Sequence, residues 1–200
     1  MDSALAAKEG LTLACALAVE ERLARKAGAR TALVGLGAGL SLPLEGRLVS
    51  FGFCGALIPG LEPGTLVSAR RVVDPAGETL WEGEALAVPG ALRAVVCAAE
   101  TVAGEPEPRQ VLAERSGAVA VDLESGVLAR AGRLAGVVRA VSDAAEEPIG
   151  RLAAAGRPDG GTEWGIVARA FLLEPLRSAR TVLSARRAMR SLRRAAEAFA

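Results

Sequence analysis

Short runs of Val, Leu and Ala recur along this chain, and they limit the folds open to it more than any other feature. Each run is five to nine residues long and is followed by a turn signal or a helical pattern. Continuous apolar runs of that length indicate strands buried on both faces. The sequence therefore predicts an α/β fold with three layers, in which helices flank a mixed, mostly parallel central sheet. The predicted strands are residues 11–17, 31–35, 48–53, 65–73, 92–97, 118–122 and 136–142.

Helical patterns fill the remaining segments, with predicted helices at residues 18–26, 108–115 and 123–132. From about residue 176 to 199, apolar residues recur at steps of three and four, and arginines occupy the other face. A chain of 200 residues favours one domain spanning residues 1–200, with this basic amphipathic helix at its end. Two interpretations of the helix are open. It packs on the sheet with its basic face in solvent, or it makes peripheral contact with an anionic membrane surface.

The sequence contains no histidine, which removes several classes of chemistry. Ser-His-Asp and Cys-His nucleophile systems and His-ligated metals are excluded, so neither a metal nor a cofactor is expected. Cys15, Cys54 and Cys97 lie in separate apolar runs and are expected to be buried thiols. A net charge of +1 argues against nucleic acid as a partner. Because no signal peptide and no bilayer-length apolar run is evident, a cytoplasmic location is expected.

Acidic residues follow several of the predicted strands. Glu20 opens the helix after the first strand, Glu124 follows residues 118–122, and Asp143 follows residues 136–142. In α/β sheets ligands bind beyond the carboxyl ends of the strands, so these carboxylates are expected to meet at one rim. Each alone could instead be a helix cap or dipole partner. Carboxylates without histidine fit cleavage of an N-glycosidic bond, in which one protonates the departing purine, one binds sugar hydroxyls and one activates water.

Three segments resemble motifs of the nucleoside phosphorylase and methylthioadenosine/S-adenosylhomocysteine nucleosidase superfamily. They read SFGFCGAL at residues 50–57 with PGTLV at 63–67, AVDLES at 120–125 and VRAVSD at 138–143. The SFG start, the VDLES run and the PDGG stretch at 158–161 are most similar to the hopanoid-associated phosphorylase branch, a group of adenosylhopane nucleosidases. The resemblance implies a nucleoside phosphorylase-like fold. It also implies an adenine nucleosidase that hydrolyses a 5′-substituted adenosine, with adenosylhopane as one candidate substrate, and a homodimer.

The resemblance implies a role for each matching residue. Asp143 corresponds to the general acid that protonates the purine, with Ser142 placing it, and Glu20 to the carboxylate that activates water. Glu124 corresponds to the carboxylate that binds the ribose hydroxyls. The other implied substrate contacts are Leu123 in place of a methionine, Gly35 and Gly37 beside the nucleophile, Phe53 and Gly55 in the glycine segment, and Val102 and Ala103 against the purine.

The chain departs from the superfamily pattern where the phosphorylases bind phosphate. Ser50 and Phe51 stand where the hexameric phosphorylases have a basic residue, and Phe53 replaces a small hydroxyl residue. Missing phosphate ligands favour water as the nucleophile. Two alternatives stay open: a purine nucleoside phosphorylase with phosphate as co-substrate, and a non-catalytic nucleoside-binding protein. A Rossmann dehydrogenase is disfavoured, because the glycine turn at 35–39 lacks the third glycine and Pro43 interrupts the helix that should follow.

Overall fold

The computed structural model describes residues 10–43 and 46–200 of the chain. This part contains eight strands and five α-helices. The strands are β1 (Leu11–Cys15), β2 (Thr31–Leu33), β3 (Arg47–Ala56), β4 (Leu66–Val73), β5 (Thr79–Glu82), β6 (Ala91–Ala98), β7 (Ala120–Asp122) and β8 (Leu134–Asp143). The helices are α1 (Ala18–Lys26), α2 (Pro106–Ser116), α3 (Ser125–Arg130), α4 (Trp164–Leu173) and α5 (Pro175–Ala196). Short 3₁₀ turns lie at Leu36–Ala38, Gly150–Ala154 and Glu197–Phe199.

The strands form one mixed sheet flanked by helices, which confirms the predicted α/β fold. Five of the eight strand pairings in the described chain are parallel, including those of β1 with β2 and β3, and of β3 with β8. The apolar runs are buried as their composition predicts. Leu48, Val49 and Phe51 of β3 and Val137 and Val138 of β8 have no exposed surface.

Five of the strands pair in a closed circuit, in the order β3, β8, β4, β6, β7 and back to β3. The closing contact is antiparallel and pairs Gly55 with Val121. On its other side Gly55 pairs with Asp143 of β8. The circuit therefore brings the carboxyl ends of β3, β7 and β8 together at Gly55. The meeting of strand ends was expected from the sequence, whereas the closed circuit was not.

Two further differences from the predicted elements have local causes. β5 was not predicted from the sequence. This strand has only four residues, begins with the hydroxyl residue Thr79 and ends with the charged residue Glu82, and lies at the edge of the sheet. The helix predicted at 123–132 is shorter at both ends. Glu124 is its N-cap, and Gly132 has a left-handed φ of 65° that no helix residue adopts.

Helix α5 packs one side against the sheet. Ala188, Leu192 and Ala196 are fully buried in a cluster that also holds Phe51 and Val138. No helix of the described chain is both long enough and apolar enough to cross a membrane. α5 therefore contributes to the core along its second half, whereas its other side is exposed to solvent.

Candidate active site

A cavity of about 340 Å³ lies where the closed circuit brings the strand ends together. Nine of the eleven predicted site residues line it: Glu20, Phe53, Gly55, Val102, Ala103, Leu123, Glu124, Ser142 and Asp143. Gly35 and Gly37 lie behind its wall. Gly37 contacts the carboxylate of Glu124, whereas Gly35 packs against the Pro158 carbonyl, which a Cβ atom would approach to 2.3 Å. The predicted convergence of three carboxylates from distant segments is present in the structure.

Glu20 lies in the first turn of α1 and is 1% exposed. Its Oε1 accepts a hydrogen bond from the backbone N–H of Phe53, and its Oε2 accepts one from Leu17, both at 2.8 Å. The second bond satisfies a free N–H at the start of the helix, so the helix-capping alternative also holds for this residue. Burial raises the pKa of Glu20 to about 7, although the nearby Arg139 guanidinium favours the charged form. Near neutral pH the group therefore changes protonation readily.

Glu124 follows β7 and is the N-cap residue of α3, where it is 3% exposed. Its Oε1 accepts a bond of 3.0 Å from the N–H of Gly37, whose left-handed φ of 58° suits a residue without a side chain. Its Oε2 accepts a bond of 2.9 Å from Arg139. Burial raises the pKa of Glu124, and the Arg139 guanidinium opposes that shift. The carboxylate is thus held from two sides at a fixed place in the cavity wall.

Asp143 ends β8, and its side chain keeps 14% of its surface exposed to the cavity. Its Oδ1 accepts a hydrogen bond from the Ser142 hydroxyl, and its Oδ2 is paired with the guanidinium of Arg109. Burial raises the pKa of Asp143, and Arg109 and Ser142 work against that shift. Gly55 leaves room for this group, since a Cβ atom there would come within 3.0 Å of Asp143 Oδ2.

Arg139 lies beneath the cavity floor and was not predicted as a site residue. It is 1% exposed, and its Nη2 atom lies 2.8 Å from Asp122 Oδ2 and 2.9 Å from Glu124 Oε2. The same group donates to the Ser50 hydroxyl, and Nη1 donates to the Phe53 carbonyl at 3.2 Å. A signal was available in the sequence. A lone arginine inside a strand predicted to be buried on both faces requires buried carboxylates as partners.

Arg109, from α2, is the second residue that sequence reasoning missed. It is 1% exposed and pairs with Asp143, while its Nε donates to the Ala103 carbonyl at 2.7 Å and its Nη1 to the Ala144 carbonyl. One guanidinium thus connects the loop at Ala103, the end of β8 and the acid between them. Nothing in the sequence around α2 separates Arg109 from Arg115, which lies in the last turn of the same helix.

The segment after β8 also contributes to the cavity. Ile149, Leu152 and Ala153, from the 3₁₀ turn and the loop before it, and Thr181 and Ala185 of α5 line the wall. The backbone N–H of Ile149 donates to the Gly104 carbonyl at 3.0 Å, which fixes the segment against the loop of Val102 and Ala103. No site residue in this segment was predicted from the sequence.

The charge of the cavity wall limits what the cavity can hold. Glu20, Asp122, Glu124 and Asp143 reach it, and none of the described lining residues is Lys or Arg. Arg139 and Arg109 lie behind the wall with their donors directed at carboxylates, carbonyls and a hydroxyl. An uncharged or cationic group is therefore favoured in this cavity over an anion such as phosphate.

We expect Gly52→Ala to lower the free energy of unfolding by about 1–3 kcal/mol, because it overpacks the base of the site. A Cβ atom at Gly52 would lie 2.4 Å from Glu20 Oε1 and 2.8 Å from Arg139 Nη1. Chemical denaturation of both proteins measures the difference. Gly165→Ala is the matched control, since a Cβ atom there meets nothing within 4 Å. Equal stability losses in the two variants would contradict the close approach at Gly52.

Comparison with solved structures gives the same fold at low sequence identity. Futalosine hydrolase of Helicobacter pylori matches with a TM-score of 0.61 and 13% identity, over 94% of each chain. 5′-Methylthioadenosine/S-adenosyl homocysteine nucleosidase of the same organism gives 0.59 and 13%, also over 94% of each chain. The corresponding nucleosidase from S. pneumoniae, bound to a transition-state inhibitor, gives 0.53 and 14%, over 89% of this chain and 98% of its own. No protein-family model and no curated protein matches the chain. At these identities the likeness shows that the chain has the nucleoside phosphorylase-like fold of these enzymes.

Proposed function

We propose that this protein is an adenine nucleosidase that hydrolyses the N-glycosidic bond of a 5′-substituted adenosine. The observation that carries the proposal is the meeting of Glu20, Glu124 and Asp143 around one cavity in a fold that known nucleosidases share. Cleavage of an N-glycosidic bond builds positive charge on the sugar, by analogy with O-glycosides. Buried, prepositioned carboxylates stabilise such charge without reorganising.

In this proposal Asp143 is the general acid that protonates the departing adenine. Its burial favours the neutral acid before the reaction. Arg109 and Ser142 contact the two carboxyl oxygens and stabilise the carboxylate that is left once the proton has moved. Burial therefore keeps the proton on Asp143 before the reaction, and the contacts with Arg109 and Ser142 favour its transfer to the adenine.

Glu124 binds the ribose hydroxyls in this mechanism. A carboxylate offers about four lone-pair directions, and the bonds from Gly37 and Arg139 engage one on each oxygen. The remaining directions can accept hydrogen bonds from two sugar hydroxyls. Because both protein donors are fixed, the ribose is held in one orientation between the acid and the base.

Glu20 activates the attacking water in this mechanism, so we expect the rate of adenine release to rise with pH through a midpoint of about 7, where the buried carboxyl ionises. Glu20→Gln should abolish that rise and leave a slow, flatter profile. The raised pKa has a second consequence. Relative to the Gln variant, the wild type should lose stability as pH increases from 4.5 to about 7, because the folded state holds a proton that the unfolded state has released.

Initial rates and denaturation midpoints across this pH range measure both effects. Glu114→Gln, at an exposed position on α2, is the control that should keep the wild-type pH profile. A midpoint near 7 that persists in Glu20→Gln would remove Glu20 as its source.

Hydrolysis and phosphorolysis give different products: hydrolysis releases the free sugar, and phosphorolysis releases sugar 1-phosphate. Adenosine and 5′-alkylthio adenosines are supplied with and without phosphate, and adenine, free sugar and sugar 1-phosphate are measured. The acidic cavity wall favours adenine release that does not depend on phosphate. Sugar 1-phosphate as the product would establish the phosphorylase alternative. Tight nucleoside binding without adenine release would establish the non-catalytic alternative.

The finer substrate proposal is adenosylhopane, on the basis of the resemblance to the hopanoid-associated branch. Ile149, Leu152 and Ala185 in the cavity wall support an apolar 5′ group. Adenine release should then be faster from 5′-alkyl adenosines than from adenosine itself. The homodimer stays a prediction, which sedimentation velocity checks.

A further inference from the structure

Helix α4 and the first half of α5 expose large apolar side chains to solvent. Trp164 is 73% exposed, Leu172 81%, Leu176 80% and Leu183 56%. We call these four residues the apolar patch. In α4, by contrast, only Ala170 is buried. Exposed apolar groups of this size, concentrated in one segment, indicate a surface that contacts something other than water.

Helices α4 and α5 as a whole carry a large excess of positive charge, and the rest of the chain has a negative net charge. Residues 164–196 contain eight arginines and one glutamate, a net charge of +7, whereas the whole chain has a net charge of +1. The remaining residues therefore have a net charge of −6. All eight arginines are exposed. The charge asymmetry points to a partner that is anionic and that meets this segment rather than the whole protein.

The apolar and basic residues of α5 share one side of the helix. Leu176, Arg180, Leu183, Arg187, Arg190 and Arg194 follow one another at steps of four, three, four, three and four. We call them the outer stripe, and all six are exposed. The buried residues Ala188, Leu192 and Ala196, which pack on the sheet, lie on the opposite side. Arg187 also lies beside the turn at Gly64, where a Cβ atom would come within 3.3 Å of the Arg187 Cβ atom. All six residues of the outer stripe are nevertheless exposed, so they can meet a partner while the helix stays folded on the protein.

A second copy of the chain fits this surface poorly. A two-fold interface brings the same surface of both copies together, so the arginines of one outer stripe would face those of the other. A nucleic acid would use the arginines but leave the leucines without a partner. An anionic lipid bilayer satisfies both kinds of residue, since leucine and tryptophan enter the headgroup and acyl boundary while arginine contacts lipid phosphates.

We propose that the apolar patch and the outer stripe together form a membrane-docking face that binds anionic lipid bilayers peripherally. The inner side of α5 lines the cavity through Thr181 and Ala185. Docking therefore brings a wall of the cavity alongside the bilayer. The proposal goes beyond the nucleosidase activity and does not depend on it, because lipid binding is measured without any substrate.

Flotation with lipid vesicles tests the proposal. The protein should float with phosphatidylcholine vesicles that contain phosphatidylglycerol and stay behind with pure phosphatidylcholine. High salt should weaken the binding, since the ions screen the arginines. In a Trp81→Phe background, which leaves Trp164 as the reporter, the fluorescence emission should shift to the blue with anionic vesicles.

Two groups of substitutions separate the contributions. The triple variant Arg180→Gln, Arg187→Gln and Arg190→Gln should bind anionic vesicles on the order of 100-fold more weakly, since each arginine near such a surface contributes about a factor of five. The triple variant Trp164→Ser, Leu172→Ser and Leu176→Ser should float less with anionic vesicles, because it removes the apolar side chains that would enter the bilayer. All six positions are exposed, so the variants should unfold at the wild-type denaturant concentration.

Matched controls lie on other surfaces of the protein. Arg25→Gln changes an arginine with a 64% exposed side chain, and Leu92→Ser changes a leucine that is 43% exposed. Both should bind vesicles like the wild type. Failure of the wild-type protein to float with anionic vesicles at low salt would overturn the proposal. If the serine variant also turned a dimer into monomers, the face would be an interface between copies.

Discussion

Asp143→Asn is expected to release adenine about 10²–10⁴-fold more slowly than the wild-type protein, the usual contribution of a positioned proton donor. The amide has the shape of the carboxyl group and keeps a carbonyl oxygen for the Ser142 hydroxyl or for Arg109. It has no acidic proton to give to the departing adenine. The loss should therefore fall on kcat, while the affinity for nucleoside changes little.

The measurement compares kcat and KM for adenine release with nucleoside affinity from calorimetry. Asp74→Asn is the matched control, because Asp74 lies outside the cavity and accepts backbone hydrogen bonds from Ala76 and Glu78 that an amide oxygen can also accept. It should keep the wild-type rate. Unchanged turnover in Asp143→Asn would remove Asp143 from the mechanism, and a loss of nucleoside affinity alone would make it a binding residue.

Arg139→Met is expected to lower the free energy of unfolding by about 3–5 kcal/mol, the cost of removing one partner from a buried ion pair. The guanidinium contacts Asp122 and Glu124, and all three residues are at most 4% exposed. Without it both carboxylates stay buried with no cation beside them, and Glu124, whose pKa burial already raises, must take up a proton to remain inside. The loss should therefore be larger at high pH, where the Glu124 carboxyl group is ionised in the unfolded chain.

Denaturant unfolding at several pH values measures this loss. Arg25→Met is the surface control and should change stability by less than about 0.5 kcal/mol, since its ion pair with Glu21 is exposed. Adding Glu124→Gln to Arg139→Met should restore part of the stability, because one buried charge is removed together with its partner. A Glu124→Gln effect that is equally large with and without Arg139 would show that the two groups do not interact.

Most strand positions could be predicted because a buried strand appears in the sequence as a run of apolar residues. Strands buried on both faces are mostly apolar, so the runs at 48–53, 65–73 and 136–142 identify β3, β4 and β8 within three residues at each end. Helix α1 has the predicted bounds, since its acidic first turn and basic last turn suit the helix dipole. β5 escapes this reasoning because only part of its surface is buried.

The candidate site could be predicted in part. The carboxylates Glu20, Glu124 and Asp143 were identified because they follow strands and match motifs, and the structure brings them to one cavity. Their supporting arginines were missed for two different reasons. Arg139 stands out in a buried strand and could have been found, whereas Arg109 lies in a helix rich in charged residues and is recognised only once α2 is placed beside β8.

Closure of the β3, β8, β4, β6 and β7 circuit has a consequence for how the protein opens and folds. Each of these strands has two neighbours in the ring, so none of them can detach without breaking two ladders of hydrogen bonds. Their amides should exchange with deuterated solvent together, as one cooperative unit, and more slowly than those of β2 or β5 at the edges. β3 pairs with β8, which begins about eighty residues later in the chain. The closure of this long loop should therefore limit the rate of refolding.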